Sequence, residues 1–217
     1  MPAPKKFSRE QLASAALELA DEKGLGGLSM RTLAARLGTG PMTLYNYVDG
    51  REGLESLVIE AVVRHVGYPP QPAADWREEV RALAESYWST IRSHPQVVPL
   101  IVARRTTDGA TLDFGERMLE ALARSGRSGR DLLVAFRLVT GFVIGFTQGE
   151  AGADSFSLTG GSAQEVIERG RTLPADRYPR VVEIATASAQ GDRTEEFRAG
   201  LDLLVAGLSA GARPASA

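Results

Sequence analysis

Residues 28–48, LSMRTLAARLGTGPMTLYNYV, divide into two short helices joined by a tight turn. Ser29 is a favoured N-cap, and Met30, Leu33, Ala34 and Leu37 recur at helical spacing along one face. Gly38 falls where a helix ends most easily, in the left-handed conformation. Pro41 opens the second helix, since its fixed φ suits a first turn and its missing N–H is not needed there. Leu44 and Val48, four apart, face inward. Pro41, Met42, Thr43, Tyr45 and Asn46 are left outside, with Tyr47 at the edge. Two tyrosines, an amide and a hydroxyl with so few charges suit water poorly. They suit the base edges and phosphates of a DNA major groove, which admits one helix.

Outward from this stretch the chain stays helical. Ser8 and Gln11 form a capping box, Phe7 and Leu12 a hydrophobic staple, and the spacing predicts a first helix over 8–23 that ends at Gly24. Leu12, Ala15, Ala16 and Leu19 are its buried stripe. After the turn at Asp49-Gly50, a connecting helix runs from residue 51 or 52 to about 66. Gly67-Tyr68-Pro69-Pro70-Gln71-Pro72 is a stiff break and the expected domain boundary. Beyond it, Asp75 caps a helix carrying Trp76, Val80, Leu83, Tyr87, Trp88 and Ile91. Apolar or amphipathic helices follow over 97–103, 112–122 and 131–150. A Gly/Ser-rich stretch at 151–161 reads as mobile. Weaker helices at 164–171 and 180–189, and a final one at 194–209, complete the chain. No strand pattern competes, so the fold class is all-α.

The segment 28–38, followed by 43–48 and Arg51-Glu52-Gly53-Leu54, resembles the DNA-binding domain of the TetR family of transcriptional repressors, without a gap from about Phe7 to about Val63. Val48 stands where the family usually has an aromatic, and Arg51 where it usually has Lys. The resemblance places Arg31 at a position that reads a guanine edge, where two parallel donors to O6 and N7 are worth roughly 1–3 kcal/mol of discrimination. Thr43, Tyr45 and Tyr47 match positions whose hydroxyls hold phosphates, fixing register. Pro41, Met42 and Asn46 take base-facing positions, Asn46 being able to make a bidentate contact to adenine. Arg51, at the start of the connecting helix, would meet a phosphate with help from the helix dipole. Lys5, Lys6 and Arg9 give a positive N-terminal arm, which reads either as a phosphate-tracking arm or as a solvated tail.

Gly141, Gly145 and Gly149 carve a flat side along the most apolar helix, at about 1 kcal/mol each relative to Ala, so a packing or binding reason is expected. The stripe Leu201, Leu204, Val205 and Leu208 of the last helix, with Gly200 and Gly207 beside it, is the expected partner. The resemblance implies that these two helices from each of two subunits form a homodimer interface, which fits two heads meeting half-sites on successive turns. Residues 76–148 resemble the regulatory domain of the tetracycline-repressor branch, with Ser93-His94-Pro95 and the 136–146 run as landmarks. That branch binds a drug–magnesium chelate. Here His65 alone sits where the branch has a drug-contacting His, and 97–104 offers no metal-binding His, so no metal or cofactor is assigned. His94 is expected to be a structural cap. An apolar effector pocket would draw on His65, Tyr87, Trp88, Phe114, Arg117, Phe142 and Gln148.

The formal net charge of −2 over 217 residues excludes binding to nucleic acid by bulk charge. There are no cysteines, hence no disulfide framework. No N-terminal apolar core suggests a signal peptide, and the longest apolar run, 132–146, is interrupted by Arg137 and falls short of the ~20 residues of a membrane span. The expected location is the cytoplasm, away from any membrane. Two histidines in different surroundings and no Gly-rich phosphate loop assemble neither a triad nor a metal centre. The expectation is therefore a non-enzymatic repressor that binds a palindromic operator as a homodimer and is released by a small-molecule inducer. A helical enzyme or an interaction module without DNA binding is the alternative. The expected division is a helix-turn-helix head over 1–50, a connecting helix over 51–67, and a regulatory and dimerisation domain over 74–211.

Overall fold

The computed structural model describes residues 6–104, 108–150 and 163–210. The Gly/Ser-rich stretch at 151–161 and Lys5 lie outside the described residues. Those described form eleven helices and no strand, as the periodicity predicts: α1 (Arg9–Gly27), α2 (Met30–Arg36), α3 (Pro41–Leu44), α4 (Gly50–Arg64), α5 (Trp76–Arg92), α6 (Val98–Ala103), α7 (Gly109–Ala123), α8 (Gly129–Glu150), α9 (Ala163–Arg171), α10 (Pro179–Gln190) and α11 (Arg193–Ala210). They fall into two compact units. One comprises Met1–Pro72 with Ser86–Ala121, the other Ala73–Glu85 with Leu122–Ala217. The proline-rich break ends the first segment of the first unit, and the second half of α5, α6 and most of α7 belong to that same unit.

In the first unit α1 packs along α4, α2 closes against both, and α3 packs on α2. The capping box at Ser8 is formed: its hydroxyl accepts from Gln11 N at 3.1 Å, and the Gln11 amide oxygen accepts from Ser8 N at 2.8 Å. Helix α1 runs past the expected end at residue 23. Its regular turns do stop at Gly24, which takes φ +66, and a further turn carries on to Gly27. Leu12, Ala16, Leu19, Leu33, Leu44, Leu54, Leu57 and Val58 are buried together as the core of the head. Each such leucine is worth about 2–5 kcal/mol against truncation to Ala. His94 is not a simple cap. Its Nδ1 lies 2.9 Å from Asp21 Oδ2, tying the corner after α5 to α1.

In the second unit α11 packs on α8 and α9 pairs with α10. Phe197, fully buried, meets both Phe142 and Phe146 with ring centroids 5.3 Å apart. Gly200 is required there, because a Cβ would meet the Phe142 ring at 2.7 Å. This corrects the expected partnership of the two helices. The α11 stripe does cover α8, but through the phenylalanines, while Gly141, Gly145 and Gly149 stay exposed with nothing within 4 Å of an added Cβ. Aromatic rings bury more apolar area than glycines, so the aromatic face wins the intramolecular contact. Ala135, Val139, Val143 and Thr147, spaced by four, form the buried side of α8. The helix expected over 131–150 is α8, which begins two residues earlier; at 22 residues it could by length and composition alone cross a membrane, although its 132–146 apolar run falls short of a span. The start of α5 is held to α11 by Arg77 Nε to Ser209 Oγ at 2.8 Å and Arg81 Nε to Asp202 Oδ1 at 2.6 Å.

Candidate nucleic-acid interface

The two-helix element is built as its sequence dictates. Ser29 Oγ accepts from Thr32 N at 3.1 Å and Thr32 Oγ1 accepts from Ser29 N at 2.9 Å, a capping box with Thr in place of the usual Glu or Gln. The Thr32 hydroxyl also donates to Gly27 O at 2.8 Å, fixing the entry into α2. At the other end Gly38 takes φ +61, Gly38 N donates to Ala35 O and Thr39 N to Ala34 O. That pair of bonds is a Schellman motif, and it turns the chain sharply into α3.

Helix α3 is a single turn, with Pro41 at its start and no side-chain cap at Gly40. Leu44 is fully buried and Val48 nearly so. Met42 is 77% exposed, Tyr45 is 52% exposed, and Pro41 and Asn46 are also exposed, with Thr43 and Tyr47 half-buried. Neither the Tyr45 hydroxyl nor the Asn46 amide has a partner among the described residues. The face presented to the outside is thus the one the sequence reading assigns to DNA. Arg31 stands exposed with no carboxylate partner among the described residues, whereas Arg36, five residues on, is held by Glu18 at 2.6 Å and by Glu22. Those hydrogen bonds raise the Arg36 pKa, Glu22 first and Glu18 second.

Arg51 is placed differently from the phosphate contact expected of it. Its Nε donates to Glu55 Oε1 at 2.7 Å, and its two terminal nitrogens donate to Leu28 O at 3.2 Å and Leu25 O at 2.9 Å. Three of its five N–H groups therefore point into the head, clamping α4 to the residues that precede α2. A lysine could not make this fork. Glu55 also accepts from Arg104, which follows α6 and reaches Glu52 at 3.2 Å. Burial pushes the Glu55 carboxyl up, but hydrogen bonds from Arg51 and Arg104 outweigh it and hold the group below the ordinary carboxylate range. This clamp escaped the sequence reading because its acceptors are backbone carbonyls more than twenty residues away. Tyr47 likewise has a task inside the protein: its hydroxyl accepts from Phe7 N at 3.2 Å.

The residues named for an effector are divided between the two units. Tyr87 and Phe114 meet, with ring centroids 4.8 Å apart, and both are buried in the first unit. The Tyr87 hydroxyl makes no hydrogen bond among the described residues, and burial pushes its pKa up to about 12. Trp88 is buried with the Arg92 guanidinium 4.3 Å from its ring. Arg117 donates to Pro69 O at 3.1 Å and lies over Tyr68, so it braces the proline-rich break. His65 is an exposed C-cap of α4. Phe142 belongs to the aromatic cluster of the second unit, where Gln148 is half-buried.

Residues 12–55 match the family described as bacterial regulatory proteins, tetR family, and residues 68–211 match the tetracyclin repressor-like C-terminal domain. The chain belongs to the TetR family. Among relatives, the HTH-type transcriptional repressor DrrR1 of Streptomyces coeruleorubidus is 29% identical over 92% of this chain and 76% of its own. An HTH-type transcriptional regulator of Saccharopolyspora erythraea is 30% identical over 94% of this chain and 85% of its own. The Streptomyces coelicolor TetR family protein ActR, solved in complex with actinorhodin, superposes with a TM-score of 0.80 at 27% identity, covering 98% of this chain and 100% of ActR. This TetR-family chain is accordingly a helix-turn-helix transcriptional regulator and not an enzyme, and the enzyme alternative falls away.

Proposed function

We propose that this regulator is a repressor that binds a palindromic operator as a homodimer and is released by a small-molecule inducer. The observation that carries the reading is α3, whose Leu44 is fully buried while Met42 and Tyr45 are more than half exposed. A one-turn helix gains nothing for the fold by showing those side chains to water, and it gains contact area and hydrogen bonds when a groove covers them. Pro41, Met42 and Asn46 face bases, Thr43 and Tyr45 face phosphates, and Arg31 reads a guanine. Arg51 acts mainly as the clamp that orients the element. Residues 1–50 are the reading head, 51–67 the connecting helix, and 74–211 the regulatory and dimerisation part. The protein works in the cytoplasm.

Dimerisation is supported by the open side of α8. Val134 and Leu138 are exposed there alongside the three glycines, and Leu203 of α11 is 77% exposed. A flat apolar face of this kind lets a second copy approach the backbone closely. An effector is supported by the Tyr87 hydroxyl, which lies beside Phe114 and has no hydrogen-bond partner among the described residues, and by the actinorhodin complex of ActR. The effector class is a mainly apolar small molecule with one acceptor group for that hydroxyl. Binding would favour a sensor shape that swings the two heads out of register, with loss of the avidity of the second head.

Selecting duplexes from a random pool with the purified protein, then titrating the enriched duplex by fluorescence anisotropy, tests the reading. Enrichment of a two-fold-symmetric site supports it, and a pool that stays random overturns it.

A further inference from the structure

We infer that Tyr47 is a positioning residue for DNA binding: it clasps the N-terminal arm beside the reading helix so that Lys6 meets a phosphate. This rests on the DNA-binding reading above and departs from the direct phosphate contact expected of Tyr47. The clasp has three parts. Phe7 N, which precedes α1 and has no acceptor within it, donates to the Tyr47 hydroxyl at 3.2 Å across 40 residues of sequence. The two rings meet edge to face, with centroids 6.3 Å apart and planes at 61°. The Lys6 ammonium then lies 5.2 Å from the Phe7 ring centre. Tyr47 comes three residues after Leu44, the end of α3, so the root of the arm is moored where the reading helix finishes.

Charge points the same way. Arg9 is taken by the buried Glu60 at 2.6 Å, and Arg64 by Glu60 and by Glu10. Lys6 is exposed and has no carboxylate partner among the described residues, and the residue before it is Lys5. The capping box at Ser8 fixes the direction in which the chain leaves α1. A cation one residue from a moored Phe7 loses less freedom on meeting a phosphate than one on a free tail. With its hydroxyl accepting from Phe7 and its ring against Phe7, Tyr47 contributes to binding through the arm.

The test is a double-mutant cycle on an operator duplex selected from a random pool by the wild-type protein. Wild type, Lys6→Gln, Tyr47→Phe and the double variant are titrated over a salt series, with circular dichroism and thermal unfolding confirming the fold. Lys6→Gln should lower the slope of log K against log salt by about 0.9 per head, near 2 for a dimer. Tyr47→Phe should weaken binding by about three- to tenfold, the range of one lost hydrogen bond. In the Lys6→Gln background that loss should largely vanish, since both changes act on one arm. An equal loss in both backgrounds, or an unchanged slope in Lys6→Gln, overturns the inference while leaving the DNA reading intact. A wild type that enriches no duplex overturns both.

Discussion

Arg51 donates its Nε–H to Glu55 one turn further along α4, at 2.7 Å, while the same guanidinium holds the carbonyls of Leu25 and Leu28. Glu55 is almost fully buried and is shared with Arg104. One carboxylate thus organises the junction of α4, the end of α6 and the entry to α2. Because Arg51 is half exposed, solvent screening reduces what the pair is worth. Glu55→Gln should cost about 1–2 kcal/mol in urea unfolding at neutral pH, mostly by leaving two guanidinium groups without their acceptor.

The same substitution has a pH signature. The folded-state pKa of Glu55 lies below its ordinary value. Its contribution is therefore complete above the unfolded carboxyl pKa of about 4.3 and is lost as pH falls through the lower folded value. The stability gap between wild type and Glu55→Gln should stay constant from neutral pH down to about 5 and shrink in more acidic buffer. A gap that widened on acidification would contradict the assignment.

Tyr45→Phe and Arg31→Ala separate the two kinds of DNA contact. The first removes an exposed hydroxyl at the reading face and should weaken binding to all sequences alike, by a few fold. The second should relax preference at one base pair per half-site, at about 1–3 kcal/mol. Competition titrations with single-base operator variants distinguish the outcomes.

Much of this arrangement follows from local signals. The caps at Ser8 and Ser29, the left-handed Gly38, the start of α3 at Pro41 and the inward Leu44 and Val48 are all set by neighbours within four or five residues, and such rules are readable in one dimension. What could not be read is which distant group a side chain meets. Arg51 finds backbone carbonyls 23 and 26 residues away, His94 finds Asp21, and the Tyr47 hydroxyl finds Phe7 N. The glycine spacing on α8 marks a flat side correctly. It does not say that Phe142 and Phe146, one position further on, take the packing of α11 and leave the glycines open.

The open side of α8 can be closed to a second copy by charge. Val134→Glu with Leu138→Glu changes two exposed residues of α8 and should leave helix content unchanged. If the face joins two copies, sedimentation should show a monomer, and operator affinity should drop by the avidity of the second head, about a hundredfold or more. Gly200→Ala, by contrast, should disturb the protomer itself, since its Cβ would press on Phe142.

Tyr87→Phe tests the effector site. Removing a buried hydroxyl that has no partner among the described residues should leave stability unchanged or slightly raised, since a desolvation penalty disappears with it. Operator binding should also be unaffected, while release by any small molecule found in a thermal-shift screen should weaken about tenfold. A marked loss of stability would mean that the hydroxyl is satisfied within the fold.

We propose that a one-turn helix, shown outward by each of two copies, reads one face of a duplex. Sequencing the duplexes that the purified protein enriches from a random pool tests it most directly. The expected outcome is a two-fold-symmetric site whose half-sites are centred about 10 base pairs, or a multiple of one turn, apart. No enrichment, or an asymmetric site bound with the same affinity after one half is scrambled, would contradict it.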